Sequence, residues 1–526
     1  MRHRTPLIAI LGATALVLTS CAGGGAAGAG KDAALANGKT FTQAIATDPG
    51  SLDPFITAMS VARGIDRFLY GRLITIKDDG SMASGLAEKW TADTKTATFT
   101  LRDKLTCEDG TPLTATDVAA NISHVVDPAT GSPLVGLEVQ PGTTAVGDDA
   151  ARTVTVTSGQ PDAFLLQNIG NISIVCGTVL KDPKALAAGK GSTGMFTMTE
   201  ITPNSQYTLT RRKDFAWGPG DWDPTQKGLP DKAVFRIIPN ETTAANLVIS
   251  GEVNAAGVLG PDQQRLETAK LFSTQILVPA GQLIYNQADG RATADPAVRK
   301  ALTQSLDLAQ ARQVFAGEVP TGFVTVAPNP CRADTVKGNI PGFDAKAAGA
   351  ALDAAGWKLG SDGIRAKDGK PLTLKMIYAS VLGDTGTAAV ELLQSMWKKV
   401  GVDVTVKSLD GPSLSETLLS TGDWDISGAG VTVGLPTSLT PFVSGPTPPN
   451  GSNFASIDDP AYVAAVTAAS AKAGTEGCDD WAAAEKSLLT TSSVVLYANI
   501  ARHTFANKAT FSEGDGIDPT SIRMYE

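Results

Sequence analysis

Cysteine and histidine are the residue types best equipped for chemistry in this chain, and their number and spacing narrow what that chemistry is. There are three histidines: His3 lies in the first few residues, while His124 and His503 have no carboxylate or nucleophile beside them in the sequence. No Gly-x-Ser-x-Gly elbow, His-Glu-x-x-His helix or phosphate loop is present, so enzyme readings fail for lack of parts. The cysteines have no Cys-x-x-Cys or Cys/His spacing, so no protein-built metal site and no cofactor are expected, although a ligand could bring its own metal. Cys21 is different. It closes MRHRTPLIAILGATALVLTSC, in which a basic head precedes an apolar run, Leu7 to Leu18, of about a dozen residues, too short to span a bilayer but suited to a secretory leader. The chemistry open to a thiol at that point is acylation once residues 1–20 are removed.

Leu18-Thr19-Ser20-Cys21 resembles a bacterial lipobox, which implies a diacylated Cys21; the alternative is an ordinary leader with an incidental cysteine. The Gly/Ala-rich stretch that follows has no apolar periodicity and reads as a flexible tether over 21–39. Its GAAGAG follows no strand and opens no helix, so it is not a phosphate cradle. Cys107, Cys176, Cys331 and Cys478 remain. An even number in an exported chain suggests two disulfides, and chain order favours Cys107 with Cys176 and Cys331 with Cys478; free buried thiols are the alternative.

Composition bounds the body that these residues serve. Hydrophobic residues at 42% and charged residues at 18% describe a folded protein, and a body of about 500 residues exceeds one ordinary core, so two or three domains are expected. Losing Arg2 and Arg4 with the leader moves the formal charge from −9 to two units more negative. With no basic run, nucleic acid is not an expected partner. The acidic surplus favours solubility and, mildly, cationic ligands. No second apolar stretch reaches the roughly 18 residues of a membrane span.

The elements that must position any site alternate along the chain. ATFTL (97–101), RTVTVT (152–157), QYTLTR (206–211) and VDVTVK (402–407) have the period of two of half-buried strands. Thr114 and Asp117 form a capping box before Val118, Ile122, Val125 and Val126. Asp295-Pro296 caps a helix with Val298, Leu302 and Leu306 on one face, and a third helix starts at Asp344 and stops at Gly356. Asp109-Gly110-Thr111-Pro112 reads as a turn, and Trp90 and Phe99 as partners on paired strands. Asn286 is expected to satisfy backbone groups. Strands and helices mixed throughout favour α/β or α+β domains.

Six blocks carry more than composition: SLDPF (51–55), LYGRLITIKDDGSMASGLAEKW (69–90), TFTLRDKLTCEDGTPLTATDV (98–118), VISGEVNAAG (248–257), YNQADGRATADPAVRKALTQSLD (285–307) and GFDAKAAGAALDAAGW (342–357). In this order they resemble the family 5 extracellular solute-binding proteins of ABC importers, the dipeptide, oligopeptide and nickel group. The resemblance implies a receptor with a mixed α/β, two-lobed periplasmic-binding-protein-like fold. One lobe would combine 40–71, 195–283 and 507–526, with an extra domain over 72–194; the other would span 284–506. Ligand would sit between lobes that close by a hinge. It further implies a monomer on the extracytoplasmic face of the membrane, serving a permease and its ATPase subunits.

In peptide-binding relatives the ligand backbone pairs with extended protein segments as an added strand. Carried over, the segments are Ala58-Met59-Ser60 and the stretch after Trp424-Asp425-Ile426, with Trp424, Gly428, Ala429, Gly430, Val431 and Thr432 as contacts. The chain departs from the pattern in one respect. Between Asp425 and Asp458 there is no Asp, Glu, Lys or Arg, whereas such relatives place an aspartate there for the peptide amino group, and an enclosed amine without a partner is costly. The ligand is then an oligopeptide held by another carboxylate, a blocked or modified peptide, or an oligosaccharide or metal chelate. A membrane-tethered hydrolase is the remote alternative.

Overall fold

The computed structural model describes residues 34–57, 59–77, 80–326 and 329–526; Cys21 and Ala58 lie outside them. The frame is a ten-stranded mixed sheet in the order Asp403–Leu409, Thr373–Ala379, Ile426–Ser427, Phe272–Tyr285, Val494–Ala506, Ala255–Val258, Thr40–Ile45, Lys232–Ile237, Gln206–Arg211 and Phe196–Thr202. Its two central strands are its longest. Phe272–Tyr285 and Val494–Ala506 run antiparallel from Phe272 opposite Ala506 to Ile284 opposite Val494. At one end Val494–Ala506 also pairs with Ala255–Val258, and at the other Phe272–Tyr285 pairs with Ile426–Ser427. The same two strands thus belong to both lobes.

Their ladder breaks once, with register shifts at Pro279 and Gly281. Proline has no N–H to give the ladder. A Cβ on Gly281 would stand 2.6 Å from the Tyr497 ring and 2.7 Å from the Ala498 nitrogen, so only glycine fits. Such a bulge bends its strand and increases the local twist.

Each lobe has its own apolar interior. In the first, Phe68 lies among Phe41, Phe196 and Phe235 at ring separations of 6.5, 5.5 and 5.0 Å; replacing such a residue by Ala costs about 3–5 kcal/mol. In the second, Trp397, Leu302, Leu393 and Tyr285 form one cluster, and Trp424, Leu439, Tyr462 and Leu488 another. Within 72–194, the stretch expected to add an extra domain, lies a four-stranded sheet, Ala87–Ala92, Thr96–Leu101, Thr153–Thr157 and Thr144–Asp148, covered by the helix Ala115–Val126.

Local expectations hold where local chemistry decides them. Thr114 and Asp117 form the reciprocal capping box, and Asp295 and Asp344 cap their helices. Gly356 lies just past the third helix at φ +91. Trp90 faces Phe99, and Asp109 accepts from the Thr111 N–H at 2.9 Å in the expected turn. The disulfides are Cys107–Cys176 and Cys331–Cys478. The stretch read as tether to residue 39 ends sooner, because Leu35 bridges Tyr525 and the Ala36 N–H donates to the Met524 carbonyl at 2.9 Å. No helix among the described residues is long and apolar enough to cross a membrane.

Candidate functional site

The segment expected on the second lobe leaves the sheet at Ser427. Gly428 is still tied to it, its N–H donating to the Ile377 carbonyl at 2.7 Å, and the Ala429 N–H donates to Ser427 Oγ at 3.2 Å. Beyond them the chain is held by one side chain from a crossing strand. The Val431 N–H donates to Gln282 Oε1 at 2.9 Å, and Gln282 Nε2 donates to the Val431 carbonyl at 3.3 Å. Gln282 is 2% exposed, and this clamp satisfies its amide. Gly430 and Thr432 flank Val431. Both are exposed, and neither has a main-chain partner among the described residues.

Gly428 and Ala429 are buried and shape the segment from within. Trp424, expected among the ligand contacts, is corrected by its burial. It is fully buried, packs 5.9 Å from Phe454, and its carbonyl accepts from Asn286 Nδ2 at 2.9 Å. It supports the segment from behind. Asp425 is likewise committed, to Arg291 at 2.7 Å and the Lys375 N–H at 2.8 Å.

On the first lobe, Asp53 Oδ1 accepts from the Phe55 N–H at 3.0 Å and Phe55 is fully buried. Burial raises the Asp53 carboxyl above its ordinary pKa, opposed by the Phe55 N–H and by His124. Ile56 and Met59 are 48% and 46% exposed. Met59 is not free for strand pairing, since its N–H donates to Thr57 Oγ1 at 3.3 Å and its carbonyl accepts from the Arg63 N–H at 3.0 Å. Its side chain is the exposed part. Ser60 opens the helix Ser60–Leu69.

That helix carries charge. Arg63 Nη2 lies 3.1 Å from Glu138 Oε1 and 3.4 Å from Asp515 Oδ2. Arg67 Nη1 donates to the Asp515 carbonyl at 3.2 Å, and Arg72, just past the end of the helix, donates through Nη1 to Asn171 Oδ1 at 2.5 Å. Glu138 belongs to a loop whose Leu137 carbonyl accepts from Ser438 Oγ of the second lobe at 3.4 Å. Ser438 sits in Pro436–Val443, the helix that follows the Gly428–Thr432 segment.

The lobes meet a second time at Phe164. Asp162 accepts from the Phe164 N–H at 2.9 Å through Oδ1 and from Asn168 Nδ2 at 2.9 Å through Oδ2. Phe164 thus enters a socket of Leu435, Ala469 and Trp481, with Cys331 and Val466 at its edge. Alongside, the Gly474 N–H donates to the Ala163 carbonyl at 2.7 Å.

Both described histidines lie against phenylalanine rings. His124 packs against Phe55 at 5.1 Å and His503 stacks on Phe505 at 5.4 Å. Among the described residues no group of three or more His, Cys, Asp or Glu is arranged to hold a metal ion.

Residues 81–453 match the family described as bacterial extracellular solute-binding proteins, family 5 Middle. The chain is 25% identical over 496 residues to the periplasmic murein peptide-binding protein MppA of Escherichia coli (strain K12), covering 86% of each chain. It is 27% identical over 440 residues to the oligopeptide-binding protein OppA of Bacillus subtilis (strain 168), covering 77% of each. Among solved structures it is similar to the periplasmic EDTA-binding protein EppA, with TM-score 0.78 at 16% identity over 94% of this chain and 98% of that one.

Proposed function

As the chain belongs to the bacterial extracellular solute-binding proteins of family 5, we propose that it is the substrate-binding lipoprotein of an ABC importer, captures oligopeptides or a peptide-like solute, and delivers them to a membrane permease. The observation that carries the ligand class is the main chain at Gly430 and Thr432, exposed and without main-chain partners on either side of a Val431 that Gln282 holds by both polar groups. Unpaired N–H and C=O groups in an exposed segment suit a ligand with its own repeating N–H and C=O groups. The names of the murein peptide-binding and oligopeptide-binding relatives point the same way. Capture makes and breaks no covalent bond. A ligand touching both lobes favours the arrangement in which they meet, by the difference in its affinity for the two states. Acyl chains on Cys21 would keep the receptor at high effective concentration beside its permease.

A metal chelate is the second reading. It is favoured by the absence of an acidic residue between Asp425 and Asp458 and by the fold shared with an EDTA-binding protein. Native mass spectrometry of the full chain with an equimolar library of di- to hexapeptides, and separately with citrate and EDTA chelates, distinguishes the two. Retention of intact peptides is expected. Retention of chelates alone would replace the first reading by the second, and hydrolysis of the peptides would return the protein to the enzymes.

A further inference from the structure

A cavity of about 280 Å³ opens on the second lobe, apart from the Gly428–Thr432 segment, none of whose residues lines it. Its walls come from the helix Leu308–Val314, from the loop that leads into the helix Ala345–Ala354 and from the strand Val494–Ala506. Leu306, Leu308, Ile340 and Phe343 make them apolar. The space beside the strand has a local cause. Glu318 and Asn499 pair as an isolated antiparallel bridge, each N–H donating to the other's carbonyl at 2.8 and 3.1 Å. Continued by two residues, that register would bring Pro320 opposite Tyr497, and proline has no N–H with which to extend a ladder. Pro320 and Tyr497 line the cavity instead. Val319 and Phe343, also in its wall, are 59% and 56% exposed, so the cavity is open to solvent.

Three lining residues have polar side chains: Asp307, Arg312 and Tyr497. Asp307 is committed to the fold, its Oδ1 accepting from the Gln310 N–H at 3.0 Å as the helix cap, where its charge is set against the positive end of that helix. Arg312 has no ion pair and no side-chain hydrogen bond among the described residues. Tyr497 is 4% exposed, and its hydroxyl has no hydrogen-bond partner among them either. Burial raises its pKa, with no hydrogen bond to offset the rise. A hydroxyl so placed is costly unless something in the cavity completes it. Both groups left over are donors, one neutral and one charged, and a carboxylate accepts from both.

Volume bounds the rest of the ligand. An apolar cavity of about 150 Å³ takes benzene, and pockets for drug-sized molecules begin at roughly 300 Å³. The space suits one ring or a short acyl chain and is too small for an oligopeptide. We propose that this cavity is a second binding site, for a small carboxylate with an apolar body. The carboxylate accepts from the Tyr497 hydroxyl and the Arg312 guanidinium, and the ring or chain lies among Leu306, Leu308, Ile340 and Phe343. The site does not depend on what the Gly428–Thr432 segment captures. Tyr497 shares an apolar cluster with Leu283 and Leu306, whereas Val431 packs against the other one.

Calorimetric titration of the full chain with 3-phenylpropanoate, hexanoate and the neutral 3-phenylpropanamide tests the site. Both acids should bind, and the amide should bind about 10- to 100-fold more weakly than its acid, the scale of a charge-assisted hydrogen bond. Arg312→Gln should erase that preference. Tyr497→Phe should weaken the acids about 10-fold and leave the melting temperature without ligand unchanged, since the hydroxyl holds nothing in the fold. Arg312→Gln, at a half-buried surface position, carries the test if Tyr497→Phe does not fold. No heat from either acid, equal affinity for acid and amide, or an acid affinity unchanged in the variants would overturn the site.

Discussion

The rings of Phe164 and Trp481 lie 6.2 Å apart, one from each lobe. Phe164 is fully exposed to neither solvent nor its own domain's core; it is buried in a socket of second-lobe residues. The lobes are therefore joined by two crossing strands and also held by an apolar contact away from them.

Phe164→Ala should act on the closed arrangement alone. Truncating an aromatic anchor in such a socket removes about 1–3 kcal/mol from the state in which the lobes meet, which weakens ligand affinity about 5- to 150-fold. Small-angle scattering with ligand should show a larger radius of gyration, while the melting temperature without ligand stays close to that of the native protein. A ligand-free loss of about 3–5 kcal/mol would instead mark Phe164 as an ordinary core residue.

The two disulfides should differ in function. Cys478 opens the helix Cys478–Thr490 that carries Trp481, and Cys331 stands at the edge of the Phe164 socket. Cys107–Cys176 lies wholly within residues 72–194. Spans of 69 and 147 residues each remove on the order of 4–5 kcal/mol of unfolded-chain freedom in the entropic model. Both paired Cys→Ser variants should therefore melt earlier. Only the Cys331→Ser/Cys478→Ser pair should also lose ligand affinity, as read by calorimetric titration.

Two carboxyls should give opposite pH signatures. Burial raises the Glu485 pKa, only partly offset by donors from Thr335, Phe323 and Val324. A carboxyl raised in the folded state contributes stability below its unfolded value, near 4.3, and that stability is lost as pH rises through the folded value. Glu485→Gln should thus gain on the native protein between pH 4 and pH 7. Asp515 is lowered, against burial, by three arginines. Its contribution is present above the unfolded value, near 3.9, and lost as pH falls through the folded one, so Asp515→Asn should flatten the acid limb below about pH 4. Denaturant midpoints across pH 2–8 read both, and parallel profiles for variant and native protein would contradict them.

Much of the fold was legible because short-range chemistry fixes it. The Thr114–Asp117 box, the Asp295-Pro296 start and the alternating strands depend on neighbours within a few residues. The cysteine pairing followed from chain order because each pair closes within one half. The site was less legible. Trp424 was expected among the contacts because it adjoins the segment, but its full burial makes it core. Gln282 was missed, though an amide inside the apolar strand FSTQILVPAGQLIY is the kind of residue that needs a buried partner. Arg63 and Asp515 are 452 positions apart, and no spacing rule reaches that far.

Cys21 lies outside the described residues, so its role rests on the leader. Cys21→Ala should move the protein from the membrane fraction to the soluble extracytoplasmic fraction and leave ligand affinity unchanged. Lost affinity, or continued membrane retention, would contradict the anchor.

The central claim is that the ligand joins the exposed main chain on either side of Val431. Residue-resolved amide hydrogen exchange of the full chain, with and without a bound peptide from the library, addresses it directly. Val431, already held by Gln282, should be protected in both states, whereas Gly430 and Thr432 should exchange freely alone and slow markedly on binding. Unchanged exchange at Gly430 and Thr432 with ligand bound would contradict the account.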